Sequence, residues 1–196
     1  MKIFESLAKR HSAYNIDKKS SLTNDEIVKL VQDAALLTPS SFNSQSPRMV
    51  VLFGDENEKF WDITREELRK VAPAEGFERT VQKLENFKGQ GTILFYTDET
   101  TVKDLEEKFP LYAHNFPLWA MHENGMLQLV IWSALAENGI GASLQHYNPV
   151  VDAAVVEEFG VDPTWKLIAQ MPFGADLGEK TEKDKLPIET RVIVKG

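Results

Sequence analysis

Apolar runs of strand length alternate with amphipathic helical stretches along this 196-residue chain, and that alternation predicts an α/β or α+β domain with a central sheet. No internal repeat, low-complexity tract or long linker interrupts the pattern, so residues 1–196 read as one domain. A third observation concerns Met126 to Ala136 (MLQLVIWSALA), where only Gln128 and Ser133 are polar. A helix apolar nearly all round must be covered on every side, by the core or by a second copy of the chain. We read it as serving both, which implies a homodimer; a helix of the core alone is the alternative.

The elements follow in order. Ile3, Leu7 and Ala8 suggest an opening helix that stops before Arg10. Thr23 with Glu26 forms a capping-box pattern, followed at helical spacing by Ile27, Leu30, Val31, Ala34 and Ala35. Pro39 disfavours a helical Thr38, so this helix ends near Leu37. Met49 to Phe53 is a buried-strand candidate, and residues 55–71 and 75–87 read as polar amphipathic helices. Thr92 to Thr97 is a second strand candidate, followed by a solvated helix over Asp98 to Lys108. Ile140 to Gln145, Trp165 to Met171 and Arg191 to Val194 complete the expected strands.

Composition narrows the chemistry. Twenty-two Lys and Arg against thirty Asp and Glu leave a net charge of −8, which disfavours nucleic acid and anionic lipid as partners. The absence of cysteine excludes thiol nucleophiles, disulfides, iron–sulfur clusters and thiolate metal sites. Lys2, Glu5, Lys9 and Arg10 interrupt any signal-peptide core, and no charge-free run reaches the roughly 18–20 residues of a membrane span. A soluble, cytoplasmic protein is expected.

Most familiar motifs fail. His122-Glu123-Asn124-Gly125-Met126 lacks the second histidine of a zinc-protease helix, and His11, His114 and His146 have no ligand spacing, so no metal site is expected. Gly141-Ala142-Ser143-Leu144-Gln145 lacks the last glycine of a nucleophile elbow. Gly89-Gln90-Gly91 precedes a strand where a dinucleotide fingerprint would follow one. Three segments remain: Lys9-Arg10-His11-Ser12, Thr38 to Pro47 (TPSSFNSQSP), and Lys183-Asp184-Lys185-Leu186-Pro187. Taken singly they read as a helix end, a Pro/Ser/Asn turn and a solvated lysine run.

Together with Gly139 to Pro149 (GIGASLQHYNP), these segments resemble the nitroreductase family of flavoproteins in order and spacing along almost the whole chain. The family's Arg-x-Ser is matched by Arg10-His11-Ser12, its Pro-Ser-Ser-x-Asn-x-Gln by Pro39 to Gln45, and its basic pair before Leu-Pro by Lys183 and Lys185. The GIGASLQHYNP stretch resembles the fatty-acid-repression-mutant-like branch, which includes copper-induced bacterial nitroreductases. The resemblance implies an α+β fold with a mixed sheet flanked by helices. It also implies an intertwined homodimer holding two FMN molecules at its interface, with the Pro-Ser-Ser-x-Asn loop supplied by the partner subunit.

It further implies an enzyme in which flavin N5 passes hydride from NAD(P)H to small aromatic acceptors, nitroaromatic or quinone-like, by a ping-pong cycle. No protein nucleophile is needed. Arg10, His11, Ser12, Lys183 and Lys185 would hold the phosphate, and Ser40 and Ser41 would sit near the phosphate or ribityl chain. Asn43 and Gln45 would face the pyrimidine edge, because an amide offers both a donor and an acceptor. Leu144 would cover a ring face, with the backbone amide of Gln145 or His146 directed at N5. Phe42, Phe109, Tyr112, Phe116 and Trp119 are candidate aromatic walls. Tyr14 stands where relatives carry a second basic residue, and Ser46-Pro47-Arg48 replaces a Pro-Trp, with Arg48 expected to be structural. A flavin-binding stress-response or regulatory protein with little turnover is the alternative, and an interaction module without cofactor a third.

Overall fold

A computed structural model describes residues 2–196; Met1, the first residue of the expected 1–196 domain, lies outside the described residues. Helix α1 (Lys2–Lys9) is followed by strand β1 (Ile16–Asp17) and helix α2 (Asn24–Leu37). The chain continues through β2 (Pro47–Phe53), α3 (Gly54–Val71), α4 (Phe77–Glu85), β3 (Gly91–Asp98) and α5 (Glu99–Lys108). A 3-10 stretch (Pro110–Asn115) leads into α6 (Phe116–Glu137), then β4 (Ile140–Ala142), α7 (Asp152–Phe159) and β5 (Trp165–Asp176).

Local chemistry sets the element ends. The Thr23 side chain accepts from the Glu26 N–H at 3.3 Å, and the Glu26 carboxylate accepts from the Thr23 N–H at 2.8 Å. This reciprocal cap starts α2 as predicted, and an extended Thr38 before Pro39 ends it. Asp98 caps α5 by accepting from the N–H groups of Thr100 and Thr101.

The sheet runs β1-β5-β3-β2, with β4 also paired to β5. All these ladders are antiparallel; the parallel component is a bridge between Ser12 and Ala142. The class is therefore α+β with a mixed sheet, and the α/β alternative falls because no helix crosses between parallel neighbours.

Both faces of the sheet are covered, so β3 is buried from Gly91 to Thr97. Ile93 and Phe95 pack with Leu127, Ile131 and Leu135 of α6 and with Ile27, Val31 and Ala34 of α2. The alternate residues Leu94 and Tyr96 pack with Phe60, Trp61, Leu84, Phe87 and Val155. A register shift skips Ile168, a bulge that sends Leu167 to the second core while Ala169 and Met171 stay in the first. At the β1 crossing a side chain on Gly174 would meet the Asp17 carbonyl oxygen at 2.1 Å, so only glycine fits there.

Two expectations are corrected. Core-only coverage of the apolar helix is not what the single chain has: Leu127, Ile131 and Leu135 are buried, but Met126, Leu129 and Val130 are 42–45% exposed. It also starts earlier, because Glu123 and Asn124, which look like a polar break, point inward. Arg191 to Val194 is not a strand. The run follows a 3-10 turn (Ile188–Thr190) with Val192, Ile193 and Val194 exposed, and it pairs with no strand among the described residues. Among the described residues no helix is long and apolar enough to cross a membrane.

Candidate functional site

The end of α1 and the segment after β5 form a groove of about 860 Å³. Arg10, His11 and Ser12 line one side, and Lys183 and Lys185 the other. The Ala13 N–H donates to the Ala142 carbonyl at 3.0 Å, which ties this segment to β4. Lys9 pairs with Glu137 at 2.7 Å and fastens α1 to the end of α6. The Arg10 guanidinium lies over the Trp132 ring, 4.3 Å from its centroid. Among the described residues no carboxylate pairs with Arg10, Lys183 or Lys185, so their N–H donors remain available. His11 Nε2 lies 2.9 Å from Asp176 Oδ2, at ion-pair distance but outside hydrogen-bond geometry.

The groove is mixed in charge. Arg10, Lys180, Lys183 and Lys185 face it with Asp176, Glu179, Glu182 and Asp184. A second groove, of about 600 Å³ between α3 and α7, carries seven carboxylates and one lysine and would repel an anion. Lys180, missed by sequence reasoning, donates to the Ala8 carbonyl and holds the two sides together. Tyr14 also lines the groove.

The Pro39–Gln45 loop lies elsewhere, at the N-terminal half of α6. It turns through a 3-10 segment (Ser41–Asn43), with Phe42, Asn43 and Gln45 at φ 55°, 53° and 51°. Glu123 of α6, only 2% exposed, accepts from the Ser41 N–H at 2.5 Å, the Ser44 hydroxyl at 2.9 Å and the Ser46 hydroxyl at 2.8 Å. The Ser40 hydroxyl accepts from the Gln45 N–H at 2.9 Å. The side chains of Asn43 and Gln45 make no hydrogen bond among the described residues and stand exposed. Arg48 donates to the Gln45 carbonyl and pairs with Asp98 at 2.8 Å, which gives it the structural role expected.

Phe42 carries the loop onto an aromatic cluster. Its ring lies 4.8 Å from Phe109, 5.4 Å from Phe116, 6.1 Å from Tyr112 and 6.2 Å from Trp119. All five candidate aromatic residues therefore meet at one place. Phe116 is buried, whereas Phe42 and Tyr112 keep exposed faces.

The Leu144–His146 segment is organised by Gln170, another residue the sequence did not single out. Gln145 and Gln170 exchange backbone hydrogen bonds at 2.7 and 2.9 Å, and the Gln170 side chain accepts from the Tyr147 N–H at 2.8 Å. The buried Gln145 side chain donates to Ser143 Oγ at 3.0 Å. Of the two backbone amides under consideration, Gln145's is thus engaged, and His146's has no acceptor among the described residues. Leu144 packs half-buried against the first core. Burial pushes the Tyr147 phenol up to about 12, aided by nearby Tyr14, so it stays neutral.

No residue of the loop lines the cation groove. Glu123 and Trp132 are nine positions apart on α6, about 13 Å along its axis. One chain brings Arg10, His11, Ser12, Lys183 and Lys185 together, but not Ser40, Ser41, Asn43 and Gln45 with them. Glu123 was seen only within a failed zinc-protease pattern, just before the apolar run of α6. Trp132, Lys180 and Gln170 had no sequence signal, since their contacts join remote segments.

Comparison with known proteins agrees with the fold. The nitroreductase FRM2 of Saccharomyces cerevisiae is 30% identical over 181 residues, which take in 90% of this chain and 89% of that one. The structure of the nitroreductase CinD from Lactococcus lactis with nicotinic acid has a TM-score of 0.92 at 38% identity, covering 99% of this chain and 100% of that one. A nitroreductase with bound FMN from Desulfitobacterium hafniense shares the fold, with a TM-score of 0.71 at 17% identity over 100% of this chain and 99% of that one. The family profile matches residues 7–175, so this chain, with its α+β fold and mixed sheet, belongs to the nitroreductase family.

Proposed function

We propose that the chain, one domain over residues 1–196, is an FMN-dependent NAD(P)H oxidoreductase acting on nitroaromatic or quinone-like acceptors. The observation that carries this reading is an Arg10 guanidinium lying over Trp132, without a carboxylate partner among the described residues, in the groove that also holds Lys183 and Lys185. Unpaired cations facing one groove of an acidic protein are suited to a phosphate. The other free groups fit the rest of the cofactor: the exposed amides of Asn43 and Gln45, and the unengaged His146 N–H.

Bound FMN would supply the redox chemistry, accepting hydride from NAD(P)H at N5 and releasing it to the acceptor in alternating half-reactions. The chain's own work is binding and orientation. Arg10 offers a planar fork of donors, Lys183 and Lys185 point charges, and Ser12 and His11 further hydrogen bonds to the phosphate. Ser40 and Ser41 would sit near the ribityl chain, and Leu144 would cover a ring face. The His146 N–H, not that of Gln145, is the donor left for N5. The cluster around Phe42 offers flat acceptors an aromatic wall. CinD has been solved with 4-nitrophenol and with chloramphenicol, both nitroaromatic, which supports that acceptor class.

A homodimer completes the site in this reading. Met126, Leu129 and Val130 leave an apolar face of α6 uncovered, and Val192, Ile193 and Val194 of the C-terminal run are exposed as well. A two-fold axis across α6 reverses the helix, so the loop end of one copy meets the Arg10 end of the other. The partner's loop thereby reaches a groove that the chain's own loop does not. A cytoplasmic setting, where NAD(P)H is available, goes with this function.

The test is optical. Purified protein incubated with FMN should retain one flavin per chain. Anaerobic NADH or NADPH should bleach it, and 4-nitrophenol or a quinone should restore the colour. Failure to retain flavin overturns the proposal, and retained flavin that neither nucleotide bleaches leaves the regulatory binder in its place.

A further inference from the structure

Glu123 is the only buried Asp, Glu, Lys or Arg among the described residues, and no cation is paired with it. Its carboxylate is instead held by three donors, the Ser41 N–H and the hydroxyls of Ser44 and Ser46. All three donate to it. A buried carboxyl group of this kind is weak as a stabilising device, because its desolvation offsets what its partners return. Its donors, however, bracket Phe42, Asn43 and Gln45, all with φ between 51° and 55°. Asn tolerates that conformation; Phe and Gln seldom adopt it and need surroundings that enforce it.

We infer that Glu123 is the positioning residue of the Pro39–Gln45 loop, clamping both sides of its left-handed turn so that Asn43 and Gln45 stand in one fixed presentation toward the flavin. This rests on the flavin reading above for its purpose, but not for its geometry. Glu123 does not itself touch substrate or cofactor, since both oxygens are engaged and the residue is 2% exposed.

The test compares wild type with Glu123→Gln, whose amide keeps the size but offers one acceptor oxygen and turns an NH₂ toward donors. In protein without flavin, the amides of Ser41, Asn43 and Ser44 should exchange with deuterium about tenfold faster, with β3 amides unchanged, the scale of one lost charge-assisted hydrogen bond. With FMN added, the dissociation constant should rise about tenfold and the visible spectrum of the bound flavin should shift. A lowered melting temperature with unchanged loop exchange and unchanged FMN affinity overturns the inference. If wild type itself retains no FMN, the flavin reading falls and the exchange experiment alone decides the clamp. Should Glu123→Gln not fold, Ser44→Ala keeps the carboxylate and removes one donor. It should give the same changes at about threefold, and no change in exchange overturns the inference equally.

Discussion

Arg10 owes its readiness for an anion to what it lacks. Stacking on Trp132 holds the guanidinium in place while leaving its edge donors unclaimed. If the phosphate sits there, Arg10→Ala combined with Lys185→Ala removes two charge-assisted contacts of about 1.5–3 kcal/mol each. FMN affinity, read by quenching of flavin fluorescence, should then fall by about 100-fold or more. Unchanged affinity would displace the phosphate from this groove. The residues behind this prediction were visible in the sequence because a spaced motif preserves its order. Trp132 and Lys180 were not, because their roles arise from contacts between segments far apart in the chain. The same holds for Gln170, whose side chain sets the geometry of a motif more than twenty positions upstream. Glu123 was met only in a failed motif, because the three donors that explain it come from a loop about eighty positions upstream.

Among the elements, those with local causes were legible. The reciprocal cap of Thr23 and Glu26 and the Pro39 stop both lie within a few residues of the ends they set. Thr23→Ala should cost about 1 kcal/mol in chemical denaturation, the usual weight of an N-cap. The linked pH effect has a definite sign. Hydrogen bonds from the Thr23 backbone and then its side chain hold the Glu26 carboxyl below its ordinary value of 4.5. Its contribution is therefore present above that value and lost as pH falls through the lower folded value. The gap between wild type and Thr23→Ala should accordingly narrow as pH falls below about 4.5, by the share of the Thr23 hydroxyl's bond to the carboxylate, while the cap bond from the Glu26 N–H remains. Elements with non-local causes were legible only in part. Arg191 to Val194 has strand composition, but a strand also needs an edge to pair with, and among the described residues the run pairs with none. The start of α6 was hidden by Glu123 and Asn124. Asn124 is buried because its amide donates to the Tyr96 carbonyl at 2.9 Å and to Thr97 Oγ1 at 3.3 Å, a requirement set by β3.

For the molecule as a whole, the sheet accounts for helices on both sides, but it does not account for the bare face of α6. That face is the prediction at this scale. Leu129→Asp with Val130→Asp places two charges on the proposed two-fold contact without disturbing the buried stripe of Leu127, Ile131 and Leu135. Sedimentation should show wild type as a dimer and the double variant as a monomer that has also lost FMN. A double variant that stays dimeric, with flavin bound, would place the interface elsewhere. The sequence suggested the dimer through an excess of apolar residues in one helix. Which apolar residues were in excess became clear only once the sheet had claimed its own.

The 13 Å along α6 that separates the Glu123 clamp from Trp132 has a consequence for mixtures of subunits. If each centre draws its anion grip from one subunit and its loop from the other, two inactive proteins can complement each other. Co-expression of Arg10→Ala chains with Asn43→Ala chains should yield hybrids in which one centre inherits both lesions and its twin inherits neither. Reductase activity should then reappear, approaching half the native specific activity in purified hybrids. If grip and loop came from the same polypeptide, every centre in such a hybrid would carry a lesion and none would recover.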